Sequence, residues 1–215
     1  MDLETFLLLS PILLVSLTLH ELAHAWVAWK LGDPTASEEG RLTLNPLVHL
    51  DPLGTLMFVI TAILINLPFG WARPVPVNPS YFRRAKEGMA IVAAAGPAMN
   101  FAIAVLCLAL VRHLELDPAG RTFEVLEKAW IVNVVLGLFN LIPVPPLDGS
   151  RIVGALMDNA TYARWIRLDQ VGMVVVFGAF FLFQDAFTEA LGDALRIVRD
   201  VMDVLVLAVS RGTLL

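Results

Sequence analysis

Two histidines and a glutamate within five residues, His20-Glu21-Leu22-Ala23-His24, are the part of this sequence best equipped for chemistry. On a helix, residues four apart lie one above the other. Both imidazoles then converge on one ion, while Glu21 projects about 100° round the helix, beside the ion rather than on it. Two imidazoles so placed hold Zn²⁺, and a neighbouring carboxylate takes a proton from water activated by the metal, the chemistry of metal-assisted peptide hydrolysis. Across residues 5–29 the only formally charged side chain is Glu21. The cluster therefore stands inside a stretch that otherwise reads as a membrane span, where ionisable groups are costly and mark function. The alternative is a helix whose polar residues only pack against another helix; it leaves three ionisable groups in five residues unexplained.

A strongly apolar chain must position that cluster. Of its 215 residues 58% are hydrophobic and the mean hydropathy is +0.74, against roughly 45–50% apolar residues in ordinary soluble domains, so an integral membrane protein is expected. The net charge of -5 is modest and the basic residues are scattered, which gives no footprint for nucleic acid. Cys107 is the only cysteine, so an internal disulfide and a thiolate zinc site are both excluded, and metal ligands must come from His and carboxylate. Asp2 and Glu4 occupy the N-terminus where a secretory signal carries Lys or Arg, so the first apolar run is expected to be retained rather than cleaved.

Five uncharged runs follow one another: 6–19 continuing through the histidines to 29, then 53–72, 88–111, 129–147 and 170–184. At about 1.5 Å per helical residue these lengths approach a hydrocarbon core of about 30 Å, the last being short. Residues 40–46 alternate apolar and polar side chains, and prolines in 70–79 forbid helix, so both are expected as edge strands or extended loops. Beyond Gln184, charges interrupt apolar positions at helical spacing, which predicts an amphipathic helix. The expected fold is an all-α integral membrane protein, a bundle of about 4–6 transmembrane helices with a re-entrant segment and a short extended β element. We expect one membrane-embedded domain over 1–215, with its core in 5–155 and C-terminal helices in 165–210.

Two histidines need a third protein ligand, leaving an open position for water. The run 129–147 ends in Asn140-Leu141-Ile142-Pro143-Val144-Pro145-Pro146-Leu147-Asp148-Gly149, where three prolines unwind the chain just before a carboxylate. Unwound backbone at membrane depth is tolerated only where protein buries it or a wet cavity adjoins it. Asp148 is therefore the candidate third ligand, the alternative being a cap on an interfacial helix. Together with Ala95-Gly96-Pro97-Ala98-Met99-Asn100, His49-Leu50-Asp51-Pro52-Leu53-Gly54-Thr55 and the proline-rich 70–79, these motifs resemble the site-2 protease family of intramembrane zinc metalloproteases, in particular its small bacterial and archaeal branch without PDZ or CBS domains. The resemblance covers roughly residues 5–155. It implies that His20, His24 and Asp148 bind one Zn²⁺ per chain, that Glu21 is general base and acid, and that Asn140 steadies the oxyanion or the substrate backbone. It also implies a transmembrane protein substrate. A non-catalytic metal-binding membrane protein or a metal transporter is the rival, and retention of Glu21 beside the ligands speaks against it. Among weaker signals, His49 near Asp51 reads as structural, and Gly96 with Pro97 and Asn100 as close helix packing with a cross-helix hydrogen bond.

If Asp148 meets His20 and His24, the runs carrying them end at the same depth and point the same way. Run 88–111 points oppositely, so 53–72 begins and ends on the ligand-proximal side and is expected to dip into the bilayer and return through Pro68 and Gly70. Lys30, Arg41, Arg73, Arg83, Arg84, Lys86, Arg151, Arg164 and Arg167 fall on that side, against Arg112, Arg121 and Lys128 opposite. The positive-inside rule then has the site open toward the cytoplasm of a multi-pass protein in the plasma (inner) membrane of a prokaryote. The sequence assigns no oligomeric state.

Overall fold

The first helix starts on a cap: Asp2 Oδ1 accepts a hydrogen bond from the Thr5 amide at 2.7 Å, and α1 runs Leu3–Lys30 with Glu4 and Lys30 at the ends that suit its dipole. In the computed structural model, which describes residues 2–65 and 70–210, this helix is inside-out by the standards of a soluble protein. Ser16, Thr18, His20, Glu21 and His24 are buried, while Leu7, Val15 and Trp26 are exposed. Small and polar residues facing inward are what helix association in lipid requires, because lipid tails are as apolar as leucine.

Helix α2 (Thr35–Glu38) and a 3₁₀ turn at Pro46–Val48 lead to α3 (Pro52–Ile65), and a second 3₁₀ turn, Pro79–Tyr81, leads to α4 (Ala85–His113). Then come α5 (Arg121–Asn140), the short α6 (Asp148–Gly154) and α7 (Asn159–Trp165), α8 (Asp169–Leu182) and α9 (Gln184–Ser210). Helix α4 packs between α1 and α5. Its half distant from the histidines packs Ala104, Cys107 and Leu108 on Trp130 and Val134 of α5 and Met202 of α9. Ion pairs fasten α9 there: Arg112 to Asp203 at 2.7 Å and Arg199 to Glu127 at 2.7 Å, with the Arg199 guanidinium 5.1 Å from the Trp130 ring centre.

The described residues are helical as expected, and α9 is the expected amphipathic helix. Two of the helices, α1 and α4, are long and apolar enough to cross a membrane on their own. Helix α5 has 20 residues but carries charges in its first turns, and α3 and α8 have 14 residues each. The expected extended pieces, 40–46 and 70–79, form no strand among the described residues; Ala72 of the later piece makes one antiparallel bridge, and its partner Leu50 lies outside the earlier one. Pro74 and Pro76 remove every second amide hydrogen from the later piece, so a ladder cannot propagate. With Arg73 N–H donating to the His49 carbonyl at 2.8 Å, that bridge brings the two ends of 50–72 together. Pro68, the expected point of return, lies outside the described residues.

Candidate metal centre

Helical spacing does for His20 and His24 what the sequence suggests: their rings lie edge to face, with centres 4.6 Å apart. Asp148 joins them from another part of the chain. Helix α5 ends at Asn140, the prolines carry the chain round, and α6 begins at Asp148. The turn closes because residue 149 is glycine, since a Cβ there would overlap the carbonyls of Leu141 and Ile142. The alternative of Asp148 as a mere helix cap is not what the structure favours, because the carboxylate faces both imidazoles.

His20 Nε2 and His24 Nε2 are 3.0 Å apart, and each stands 3.3 Å from Asp148 Oδ2. Ligand atoms about 2.0–2.1 Å from a tetrahedral zinc stand about 3.3 Å from one another, so the spacing fits that ion. Hydrogen positions fit as well. His24 Nδ1 lies 2.7 Å from the Val92 carbonyl, which only accepts, so its hydrogen is on Nδ1 and its Nε2 carries a lone pair. His20 Nδ1 lies 2.6 Å from Asn100 Oδ1. Asp148 Oδ2 is buried without a hydrogen-bond partner. Lone pairs thus converge on one point, an arrangement that a positive charge relieves. Among the described residues, these three form the group placed to hold a metal.

Helix α4 reaches this point because Gly96 lays bare backbone against the two imidazoles; a Cβ at 96 would overlap both rings. The AGPAMN stretch therefore works by absence at Gly96 and by contact at Asn100, whose cross-helix hydrogen bonds match the sequence expectation. Behind it lie two residues to which the sequence analysis assigns no role. Asn133 on α5 bonds Asn100, and Ser16 on α1 bonds Asn133 at 2.8 Å. A lone amide in the run IVNVV was the available signal, because an unpartnered amide in an apolar span is expensive.

Glu21 projects to another side of α1, and its Oε2 accepts the Val75 amide hydrogen at 2.9 Å. Val75 belongs to a strap, residues 70–78, clamped by side chains onto its backbone. Arg41 donates to the carbonyls of Arg73 at 2.5 Å and Pro74 at 3.4 Å, and Asp33 accepts from the Asn78 amide at 2.7 Å. Strap and cluster border one cavity of about 710 Å³, whose walls include Leu13 and Leu17 of α1, Val132 and Val135 of α5, and Asn140. The Asn140 amide nitrogen donates to the Leu136 carbonyl of its own helix at 3.0 Å. His49 is buried away from the cluster with Nε2 3.0 Å from the Thr43 carbonyl, consistent with a structural part.

The model of peptidase family M50 matches residues 115–184, the part that contains Asp148. YwhC of Bacillus subtilis, named as a zinc metalloprotease, is 42% identical over 170 residues, covering 76% of this chain and 75% of its own. Rip2 of Mycolicibacterium smegmatis, likewise so named, is 32% identical with 76% of this chain and 62% of its own covered. Zinc metalloprotease MJ0392 of Methanocaldococcus jannaschii is 30% identical over 69% of this chain, which spans 34% of that longer relative. No solved structure matches the chain. A histidine pair, a carboxylate from an unwound turn and relatives that align with most of the chain converge on one conclusion: the chain belongs to peptidase family M50, the site-2 proteases.

Proposed function

We propose that this intramembrane zinc metalloprotease hydrolyses peptide bonds within or near transmembrane segments of membrane-protein substrates, with His20, His24 and Asp148 holding one zinc ion and Glu21 moving the proton. The observation that carries the proposal is the convergence of two Nε2 lone pairs and a partnerless carboxylate oxygen beside a buried glutamate. Zinc held there supplies a Lewis acid, able to polarise a carbonyl and to lower the pKa of water from 15.7 to about 7. Glu21 accepts the proton of the attacking water and returns it to the leaving amine. The Val75 N–H keeps one oxygen of that carboxylate aimed at the cavity's edge. Asn140 lines the same cavity and keeps a second amide hydrogen for the substrate carbonyl as it gains charge.

A substrate helix shields its carbonyls and must unwind before attack. Residues 41–45 and 73–78 offer extended backbone to hold it by strand pairing, and in the strap Val77 retains the amide hydrogen that Pro74 and Pro76 lack, that of Val75 being taken by Glu21. In the bilayer, α1, α4 and α5 span, α8 and α9 complete a bundle of about 4–6 crossings, and 53–72 enters and leaves on the cytoplasmic face, all in one protease domain. The meeting of Leu50 with Ala72 supports that return. Single cysteines near Ser37, Ser80 and Asp158, in a Cys107→Ala background, should label from the cytoplasmic side and one near Ala119 from the other; outside labelling at 80 would make 53–72 a full crossing.

Glu21→Gln tests the chemistry. The amide keeps the side chain's shape and the ligands are untouched, so zinc content is expected to persist while cleavage of a single-span test substrate falls by about 10²–10⁴-fold. Equal cleavage by variant and wild type would overturn the mechanism. Zinc transport into vesicles by a wild type that cleaves no membrane substrate would instead support the transporter.

A further inference from the structure

Behind His20 the buried amides admit one self-consistent polarity. The Ala129 carbonyl only accepts, and it lies 2.8 Å from Asn133 Nδ2, so the Asn133 oxygen must point the other way. There it accepts from Asn100 Nδ2 at 2.9 Å, which turns Asn100 Oδ1 toward His20 Nδ1, 2.6 Å away. An acceptor at that place calls for the hydrogen on Nδ1 and leaves the lone pair on Nε2, facing His24 and Asp148. Ser16 Oγ takes the second hydrogen of Asn133 Nδ2 at 2.8 Å.

The two histidines are therefore oriented by unlike devices. A backbone carbonyl fixes His24 directly, and a carbonyl has no wrong way round. Asn100 does: were its amide reversed, its N–H₂ would face His20 Nδ1, drive the imidazole hydrogen to Nε2 and aim it into the ligand cluster. Asn100 and Asn133 are fully buried, so bulk water does not compensate such a reversal. We propose that Asn133 is a positioning residue for the metal centre, holding Asn100 in the single orientation that fixes His20 as the tautomer with its lone pair toward the metal. The inference rests on the zinc-protease reading of the site.

Mere helix-to-helix adhesion by the same amides would contribute to stability and nothing else, so the test reads the tautomer. Nitrogen-15 NMR of histidine-labelled, zinc-stripped full chain should show His20 protonated at Nδ1 in the wild type, a measurement that needs no variant; a mixture of tautomers would overturn the proposal. In Asn133→Leu the tautomers should mix and zinc affinity, from competition with a chelator, should fall about 10–100-fold. The rescue is the most demanding arm: Asn100→Asp added to Asn133→Leu presents an acceptor whichever way it turns and should recover most of the lost affinity. Wild-type affinity in Asn133→Leu, or a loss that Asn100→Asp leaves unrepaired, would reduce Asn133 to a structural role. Absence of zinc binding by the wild type would defeat the function proposed above while leaving the tautomer measurement interpretable.

Discussion

Behind the candidate metal ligands, Ser16, Asn133, Asn100 and His20 meet one another almost wholly through side chains. In front of them, Arg41, Asp33 and Glu21 each take hold of backbone groups of the strap. Both regions are buried and polar, yet they tolerate change differently. A side-chain network requires a particular partner at every node, since a buried group that loses its partner keeps its desolvation cost. A clamp on backbone requires only that the chain pass by. The rear of the site is therefore specified residue by residue, and the front by path.

The difference can be broken hardest at the ligands. His20→Ala, His24→Ala and Asp148→Ala should each lose most bound zinc by metal analysis of purified protein, with cleavage lost alongside, because one missing ligand leaves an incomplete site. Full zinc retention in Asp148→Ala would remove that carboxylate from the site. Next in size is Gly96→Ala. Its Cβ overlaps both imidazoles, so about 1–3 kcal/mol of overpacking strain is expected, read as a lower unfolding midpoint together with weaker zinc binding.

At the front, effects should spare the metal. Arg41→Ala leaves the carbonyls of Arg73 and Pro74 without their buried donor, a loss of about 1–3 kcal/mol felt by the strap. Zinc content should be unchanged and kcat/KM should fall about tenfold, the equivalent of 1.36 kcal/mol; a drop in zinc content would mean that front and rear are not separable. The smallest effect sharpens the contrast most. Val75→Ala keeps the amide hydrogen and should leave kcat at the wild-type level, whereas Val75→Pro removes that hydrogen and should lower kcat with zinc still bound.

How far the sequence foretells these regions follows the same division. His20, Glu21 and His24 are legible because helical periodicity alone decides where they point. Asp148 is legible because prolines in an apolar run announce an unwound turn. Asn133 is not, because nothing in a single amide says which helix it will face or which way round it will sit; that depends on the packing of α4 between α1 and α5. The strap is half legible. Its prolines foretell extended chain, but the same prolines restrict pairing to the bridge of Leu50 with Ala72, and its hold on Glu21 uses an amide hydrogen that nearly every residue type possesses.

That last contact bears on how such a protease changes over generations. The partner of Glu21 is a main-chain hydrogen at position 75, and nineteen of the twenty residue types supply one, proline alone lacking it. Under the proposed mechanism, mutations that reshape the strap's side chains leave Glu21, the proposed general base, anchored as before. If the strap holds substrate as proposed, its substrate range can drift by ordinary substitution without each step losing the anchor of Glu21.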